Sequence, residues 1–559
     1  MNPERGSFQV RGNANHSGNV SGTVVTFSYG YYTGEQLATM TYEEQKDLLG
    51  RAKAAVEGHL ESSGLEYAIL HANCFMEVWL SPALGFDYGS GKAVRRVEDD
   101  ALLTGRGQFA DDFSLPGQAR LHVLRSPHPH ARIASIDAKA AAAMPGVVAI
   151  LTGEDLVGAG VRPLVSSADF RRADGSPTAA PPQHALAVGT VRYVGEAVMA
   201  IVAETMHQAR DAAEAVDVRY EPLPSVADAS AAVAPGAPLV WPAATGNVAC
   251  EMRHGHAAKV ADAFAHAAHT VSLDLVNQRV IPAPIEPRAT LASVDAASGR
   301  LTLRVSCQTP TGLRDELADA VLGIPPESVR VVVGDVGGGF GMKTTLYPED
   351  VLAAHCARTL ARPVKWCAER IDEFLAASHG RDVTARAELA LDADGRALAL
   401  RVDSLANVGA YATPAGVVIQ LVIGPWVSTS VYDIPLIDVH VRAVLTNTTP
   451  TGPYRGAGRP EAIYFIERLM DAAARRTGIE ATELRRRNMI RPGQMPYRNP
   501  MSKTYDTGQF AKVMDEAIAW FERALSTPDR KDDEYNAVKY EMVQTARLKE
   551  DYLYAKKLA

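Results

Sequence analysis

The chemistry-bearing part of this 559-residue chain is Val333-Gly334-Asp335-Val336-Gly337-Gly338-Gly339-Phe340-Gly341-Met342-Lys343. Four glycines in five positions leave the backbone N–H groups bare, free to close on something anionic or bulky. A phosphate loop of the G-x-x-x-x-G-K-[ST] type is excluded, because Met342 stands where glycine must precede Lys343 and Thr344. The dinucleotide pattern G-x-G-x-x-G fails at the same Met342. What remains is either a sharp turn leaving a strand or a cradle for another ligand. Two further segments accompany it. Cys307-Gln308-Thr309-Pro310 offers an amide N–H₂ donor at Gln308. Gly452-Pro453-Tyr454-Arg455-Gly456-Ala457-Gly458-Arg459 offers a planar guanidinium suited to oxygen-rich groups. The plain alternatives are an exposed strand-end glutamine and, for Arg455, a structural ion pair.

The histidines do not make a metal site. His128-Pro129-His130 and His254-Gly255-His256 are H-x-H pairs without a nearby third ligand, and His266 and His269 are expected on one solvated helix face. Tyr42-x-x-x-Lys46 imitates a dehydrogenase acid–lysine dyad, but reads more simply as a solvated helix face. Cys74, Cys250, Cys307, Cys356 and Cys367 are scattered and never C-x-x-C. That suits reduced thiols in the cytoplasm and no iron–sulfur or zinc cluster built from this chain alone.

These candidates need elements to hold them. Residues 329–333, Val-Arg-Val-Val-Val, form a strand that feeds the glycine loop. Residues 301–306 alternate with period two behind the Ser298-Gly299 turn, and 385–391 and 397–403 flank Asp394-Gly395 as a hairpin. Residues 119–124 and 198–203 read as strands, 206–216 and 461–475 as helices, the last stopped by Gly478. The Pro/Ala-rich stretch 225–247 reads as a linker, and the charged tail 526–559 as an amphipathic helix sharing Tyr535, Val538 and Met542 on one face. The class is α+β (mixed α/β), with about two to four domains. A net charge of −8 argues against general nucleic-acid binding. The longest apolar run, 416–427, contains Gln420 and Pro425 and falls short of a membrane span. The first residues start no secretory apolar segment, so a cytoplasmic location is expected.

Taken together, the three segments resemble the molybdenum hydroxylases: the large subunits of xanthine dehydrogenase, aldehyde oxidase and aerobic carbon-monoxide-dehydrogenase-like enzymes. Residues 124–133 (Leu-Arg-Ser-Pro-His-Pro-His-Ala-Arg-Ile), 144–153, Tyr193-Val194-Gly195-Glu196, Ile285-Glu286-Pro287-Arg288 and 483–488 fit the same pattern in the same order, over about residues 94–525. The resemblance implies an α/β hammerhead domain at 94–224 and a first molybdopterin-binding domain at 248–525. Residues 1–93, including 53–57 and 61–70, resemble part of an NmrA-like NAD(P)-binding protein of Rossmann type, without its glycine-rich turn.

The resemblance further implies a molybdenum–molybdopterin cofactor, with the cytosine dinucleotide as one form. Gln308 would hydrogen-bond an oxo ligand; Gly338, Gly339, Phe340 and Gly341 would pack against the cofactor; Arg455 and Gly456 would form the second loop. Oxidation of an aldehyde or small N-heterocycle with water-derived oxygen would follow. Electrons would pass to 2Fe-2S and FAD groups on partner subunits of a hetero-oligomer. The family's glutamate base belongs to a second molybdopterin-binding domain, C-terminal to the matched region, and is expected on a separate chain. Glu286, Glu349 and Glu369 do not sit in the motif that carries that base. Gly456 replaces the copper-binding Cys of carbon monoxide dehydrogenases, and Ala457 replaces the Phe that sandwiches a purine in xanthine-type enzymes. The alternatives are a truncated or chimeric scaffold without catalysis, or an NAD(P)-binding protein working through residues 1–93.

Overall fold

The computed structural model describes residues 99–164 and 169–526, together with the short strands Phe86–Asp87 and Lys92–Ala93. The chain divides into two units, Gln108–Glu516 and a second comprising Met1–Gly107 with Ala517–Ala559. In the second unit the two short strands pair antiparallel, Phe86 opposite Ala93, ahead of the helix Asp99–Leu103. The rest of the NmrA-like segment, the Tyr42-x-x-x-Lys46 spacing, Cys74 and the tail beyond Ser526 lie outside the described residues.

The unit Gln108–Glu516 is an α+β body whose two largest sheets have seven and five strands. The larger runs in the order Val329–Val332, Leu301–Val305, Ala289–Val294, Val364–Cys367, Ala119–Arg125, Ala197–Ala203, Val147–Thr152. Strands from the expected hammerhead and cofactor-binding regions thus share one sheet, joined where Ala119 and Arg120 pair in parallel with Val364 and Lys365. Ala197–Ala203 is buried at all seven positions. Its alternating side chains feed two cores: Met199, Ile201 and Ala203 meet Ala209, Ala212 and Ala213 of the helix Met206–Glu214, while Ala200 and Val202 join Leu121 and Val123.

The second sheet runs His269–Asn277, Val383–Leu391, Ala397–Gly409, Leu436–Leu445, Val248–Gly255. The predicted hairpin is its centre, with Gly395 at φ +79° in the turn. The helix Arg459–Thr477 buries Phe465, Ile466, Leu469 and Met470 against this sheet and stops at Gly478, φ +73°.

Two expectations need correction. Residues 225–247 are not a loose linker: Val226, Ala229, Ala232, Val240 and Ala244 enter the core, and the Asn247 amide bonds Val240 N–H and the Ala232 and Pro238 carbonyls. Alanine-rich sequence let this stretch pack closely in spite of its prolines. His266 and His269 do not share a helix face, because the helix Ala257–His266 ends before the strand His269–Asn277 begins.

Candidate functional site

Parallel pairing explains how distant segments converge. Leu301–Val305 lies parallel to Val329–Val332, Leu301 opposite Val329, so both strands exit on the same side of the sheet. The first exit leads to Gln308 and the second into the glycine loop, as expected for a site at the carboxyl ends of parallel strands. There the Gln308 main-chain N–H donates to Lys343 O (2.8 Å), and its Oε1 accepts from Gly341 N–H (2.9 Å). A Cβ on Gly339 would sit 2.4 Å from Gln308 Oε1, so any larger residue would push the Gln308 side chain from this position. The second loop closes on the first through Arg455 N–H to Phe340 O at 2.9 Å. Gly341, at φ +99°, would carry any Cβ to 2.6 Å from Pro453 O. The structure therefore brings together all seven predicted site residues: Gln308, Gly338, Gly339, Phe340, Gly341, Arg455 and Gly456.

The loop rests on a pair that sequence reasoning overlooked. Glu286 Oε2 accepts from Gly337 N–H (2.7 Å), Ser306 Oγ (2.7 Å) and Lys343 Nζ (2.8 Å), while Nζ also donates to Glu286 O. The Lys343 side chain is fully buried. Burial lowers its pKa, with the Glu286 hydrogen bond and charge opposing. A lysine so enclosed cannot reach a nucleotide phosphate, which agrees with rejecting the phosphate-loop reading. Tyr347 secures the far end, its hydroxyl donating to Met342 O at 2.7 Å. The Glu286-Pro287-Arg288 and Met342-Lys343 sequences were visible, but nothing in them revealed that residues 57 apart form an ion pair.

The second loop has its own support. Arg381 donates Nη1 to Tyr454 O (3.0 Å) and Nη2 to Arg455 O (2.7 Å). Deeper lies a buried ionic cluster. Arg288 bonds Glu373 (2.9 Å) and Glu349 (3.1 Å), and Arg125 bonds Glu349 and Asp372 (2.7 Å each). Burial tends to raise the Glu349 pKa, but Arg288 and Arg125 hold it at about 2. Burial raises Asp350 to about 7.

No carboxylate considered from sequence is placed to act as a base. Glu286 and Glu349 are committed to the contacts above, and the Glu369 carboxylate pairs with Arg210. The histidines are also accounted for by local bonds. His130 Nδ1 lies 2.7 Å from Pro224 O, His254 Nε2 lies 2.7 Å from Leu421 O, and the His128 ring packs against Tyr220 at a 55° tilt.

Residues 240–489 match the molybdopterin cofactor-binding domain family, and residues 104–224 match the aldehyde oxidase and xanthine dehydrogenase a/b hammerhead domain. The crystal structure of quinoline 2-oxidoreductase from Pseudomonas putida 86 superposes with TM-score 0.71 at 34% identity, over 77% of this chain and 55% of that one. The chain belongs to the molybdenum hydroxylase large-subunit family. It is 34% identical over 438 residues to the 6-hydroxypseudooxynicotine dehydrogenase complex subunit gamma of Paenarthrobacter nicotinovorans, covering 77% of this chain and 54% of that subunit. It therefore spans about half the length of these two relatives. A different proportion holds for the nicotinate dehydrogenase large molybdopterin subunit of Eubacterium barkeri. That relative is 28% identical over 410 residues, covering 72% of this chain and 90% of its own length.

The residues present fit the family's cofactor. Gln308 is exposed, its carbonyl oxygen is engaged by Gly341, and its amide N–H₂ has no protein acceptor among the described residues. The main-chain N–H groups of Gly338, Gly339, Phe340 and Gly456 likewise have no protein acceptor among the described residues. These donors lie on two loops tied to each other. Phe340, non-glycine at φ +52° and 44% exposed, is no core residue.

Proposed function

We propose that this chain is the molybdopterin-binding portion of the catalytic subunit of a molybdenum hydroxylase that oxidises an aldehyde or a small N-heterocycle. The observation that carries this reading is a set of donors on the two linked loops with no protein acceptor among the described residues: the Gln308 amide and the N–H groups of Gly338, Gly339, Phe340 and Gly456. Such donors match a ligand rich in oxo, pterin and phosphate oxygens, including the cytosine dinucleotide form. When bound, the molybdenum–pterin group supplies the redox centre that accepts electrons from the substrate. Gln308 orients an oxygen ligand through its N–H₂, and its Oε1 holds the loop at Gly341. Gly338 to Gly341 let the backbone approach closely, and Arg455 with Gly456 closes the second side.

Proton abstraction needs a carboxylate within hydrogen-bond reach of the reacting oxygen. Glu286, Glu349 and Glu369 are otherwise engaged, which favours a base supplied by a polypeptide carrying a second molybdopterin-binding domain. Partner subunits carrying 2Fe-2S and FAD groups would take the electrons onward. The described cysteines are all free thiols, which suits the cytoplasm.

The test is to purify the full chain with its co-expressed partners and measure molybdenum and pterin per chain. About one of each is expected, falling several-fold in Gln308→Ala. A folded complex lacking both would overturn the proposal.

A further inference from the structure

Arg381 is the charged side chain that reaches the second loop from outside it. It follows Gly380, where a Cβ would come within 2.5 Å of Tyr454 Cβ, and it precedes the strand Val383–Leu391. Arg381 and Asp382 are non-glycine residues at φ +62° and +68°. Consecutive left-handed residues are costly and persist only where the surroundings hold them. Here the hold is explicit: Arg279 Nε bonds the Asp382 carboxylate at 2.6 Å, and Asn407 N–H donates to Asp382 O at 2.9 Å. The strained turn sends the Arg381 guanidinium to two consecutive main-chain carbonyls, Tyr454 O and Arg455 O, and over the Tyr454 ring at 4.8 Å. Its charge is countered by Glu461 at 3.5 Å, on the first turn of the helix Arg459–Thr477. Glu461 is 3% exposed, and its Oε2 has no hydrogen-bond partner among the described residues. It lines a small cavity of about 40 Å³, together with Gln420, Ser428 and Gly458.

We propose that Arg381, backed by Glu461, is a positioning residue for the cofactor-binding wall. By gripping the carbonyls of Tyr454 and Arg455 it sets how the second loop's N–H groups face the first loop, through the Arg455 N–H to Phe340 O bond. The inference rests on the cofactor reading given above, but its first measurement does not need the cofactor. A planar fork can hold two carbonyls at once, whereas an ammonium on a flexible stem holds them less firmly.

The experiment uses the full chain as Arg381→Met and Arg381→Lys, with Arg386→Met as a control at an exposed pair with Asp274. Amide hydrogen exchange is followed in the peptide spanning 452–459 of the unloaded chain. Molybdenum content and the Mo(V) EPR line shape are then recorded on the partner-bound complex. In Arg381→Met, exchange at this peptide should rise by about tenfold, the scale of a charge-assisted hydrogen bond, with a smaller rise in Arg381→Lys. Molybdenum retention should fall and the EPR signal broaden, while exchange in 383–409 and in Arg386→Met stays at the wild-type level. Wild-type exchange and EPR in Arg381→Met would overturn the proposal. So would exchange rising equally throughout 383–409, which would make Arg381 a general support of the sheet. A wild-type complex free of molybdenum would instead refute the proposed function and leave the exchange result standing.

Discussion

His379 gives a titration test of the segment that holds the second loop. It sits one residue before Gly380, buried, with main-chain bonds on either side: its N–H donates to Pro450 O (3.1 Å), and its O accepts from Gly452 N–H (2.8 Å). Arg279 Nη1 donates to its Nδ1 at 3.1 Å, and its Nε2 donates to Phe374 O at 3.0 Å. That pairing fixes the neutral tautomer, since a second ring proton on Nδ1 would point at a guanidinium. Burial first, then the Arg279 charge, lowers the pKa from 6.5 to about 4. The unfolded chain takes up this proton below pH 6.5, whereas the folded chain resists it until about pH 4. Stability from this group is therefore full above pH 6.5 and is lost as pH falls between those values. At 1.36 kcal/mol per pH unit the loss is about 3 kcal/mol. Asp350, raised to about 7 by burial, acts with the opposite sign in an overlapping range, so only the difference from a variant isolates His379. His379→Gln keeps an acceptor for Arg279 and a donor for Phe374 O without titrating. Hydrogen exchange of the peptide containing Gly452, corrected for intrinsic rate, should lose protection in the wild type from pH 6.5 to 4 and much less in His379→Gln. Parallel pH profiles for the two proteins would refute the reasoning.

The remaining predictions concern the loop supports. Glu286→Gln strands a fully buried ammonium and should cost about 3–5 kcal/mol. Lys343→Met leaves a carboxylate that still accepts from Gly337 and Ser306, and should cost about 1–3 kcal/mol; denaturation midpoints showing the reverse order would contradict this assignment. Tyr411→Phe removes the hydroxyl that donates to buried Glu196, whose pKa burial already raises, and should lower stability by about 1–3 kcal/mol in the same assay. Gly341→Ala, forced to φ +99° against Pro453 O, should lose cofactor, while Gly493→Ala, with nothing within 4 Å, should not; equal molybdenum contents would count against the close approach of the two loops.

How much was legible in the sequence follows from what each feature depends on. The hairpin at Asp394-Gly395, the helix stop at Gly478 and the strand into the glycine loop depend on neighbours in sequence, so pattern reading found them. The seven proposed site residues were picked out through the resemblance of the ordered motifs to a family, because a glycine cluster, a Gln or an Arg alone fits a turn, a strand end or an ion pair equally well. Glu286 with Lys343, and Arg381 with the carbonyls of Tyr454 and Arg455, depend on register between strands far apart in the chain. Composition offered no signal for either. The stretch 225–247 misled for a related reason: proline content describes local backbone, whereas packing of Val226, Val240 and Ala244 is decided by the sheet they meet.

The distribution of cost argues for what the two loops do. A backbone donor or acceptor left unpaired away from water costs about 1–3 kcal/mol, so folded chains seldom leave several together without a reason. Here the buried Gly339 N–H has no acceptor among the described residues, and it lies beside the more accessible, equally unengaged N–H groups of Gly338, Phe340 and Gly456 and the Gln308 amide. At the same place the fold commits a buried Lys343–Glu286 pair, an Arg381–Glu461 pair and left-handed geometry at Phe340, Arg381, Asp382 and Ala457. A mere strand-exit turn requires none of this, since Gly338 and Gly341, at φ +98° and +99°, already supply the left-handed geometry a reversal uses. Rigid support beneath a set of donors with no acceptor of their own is what a preorganised binding wall needs.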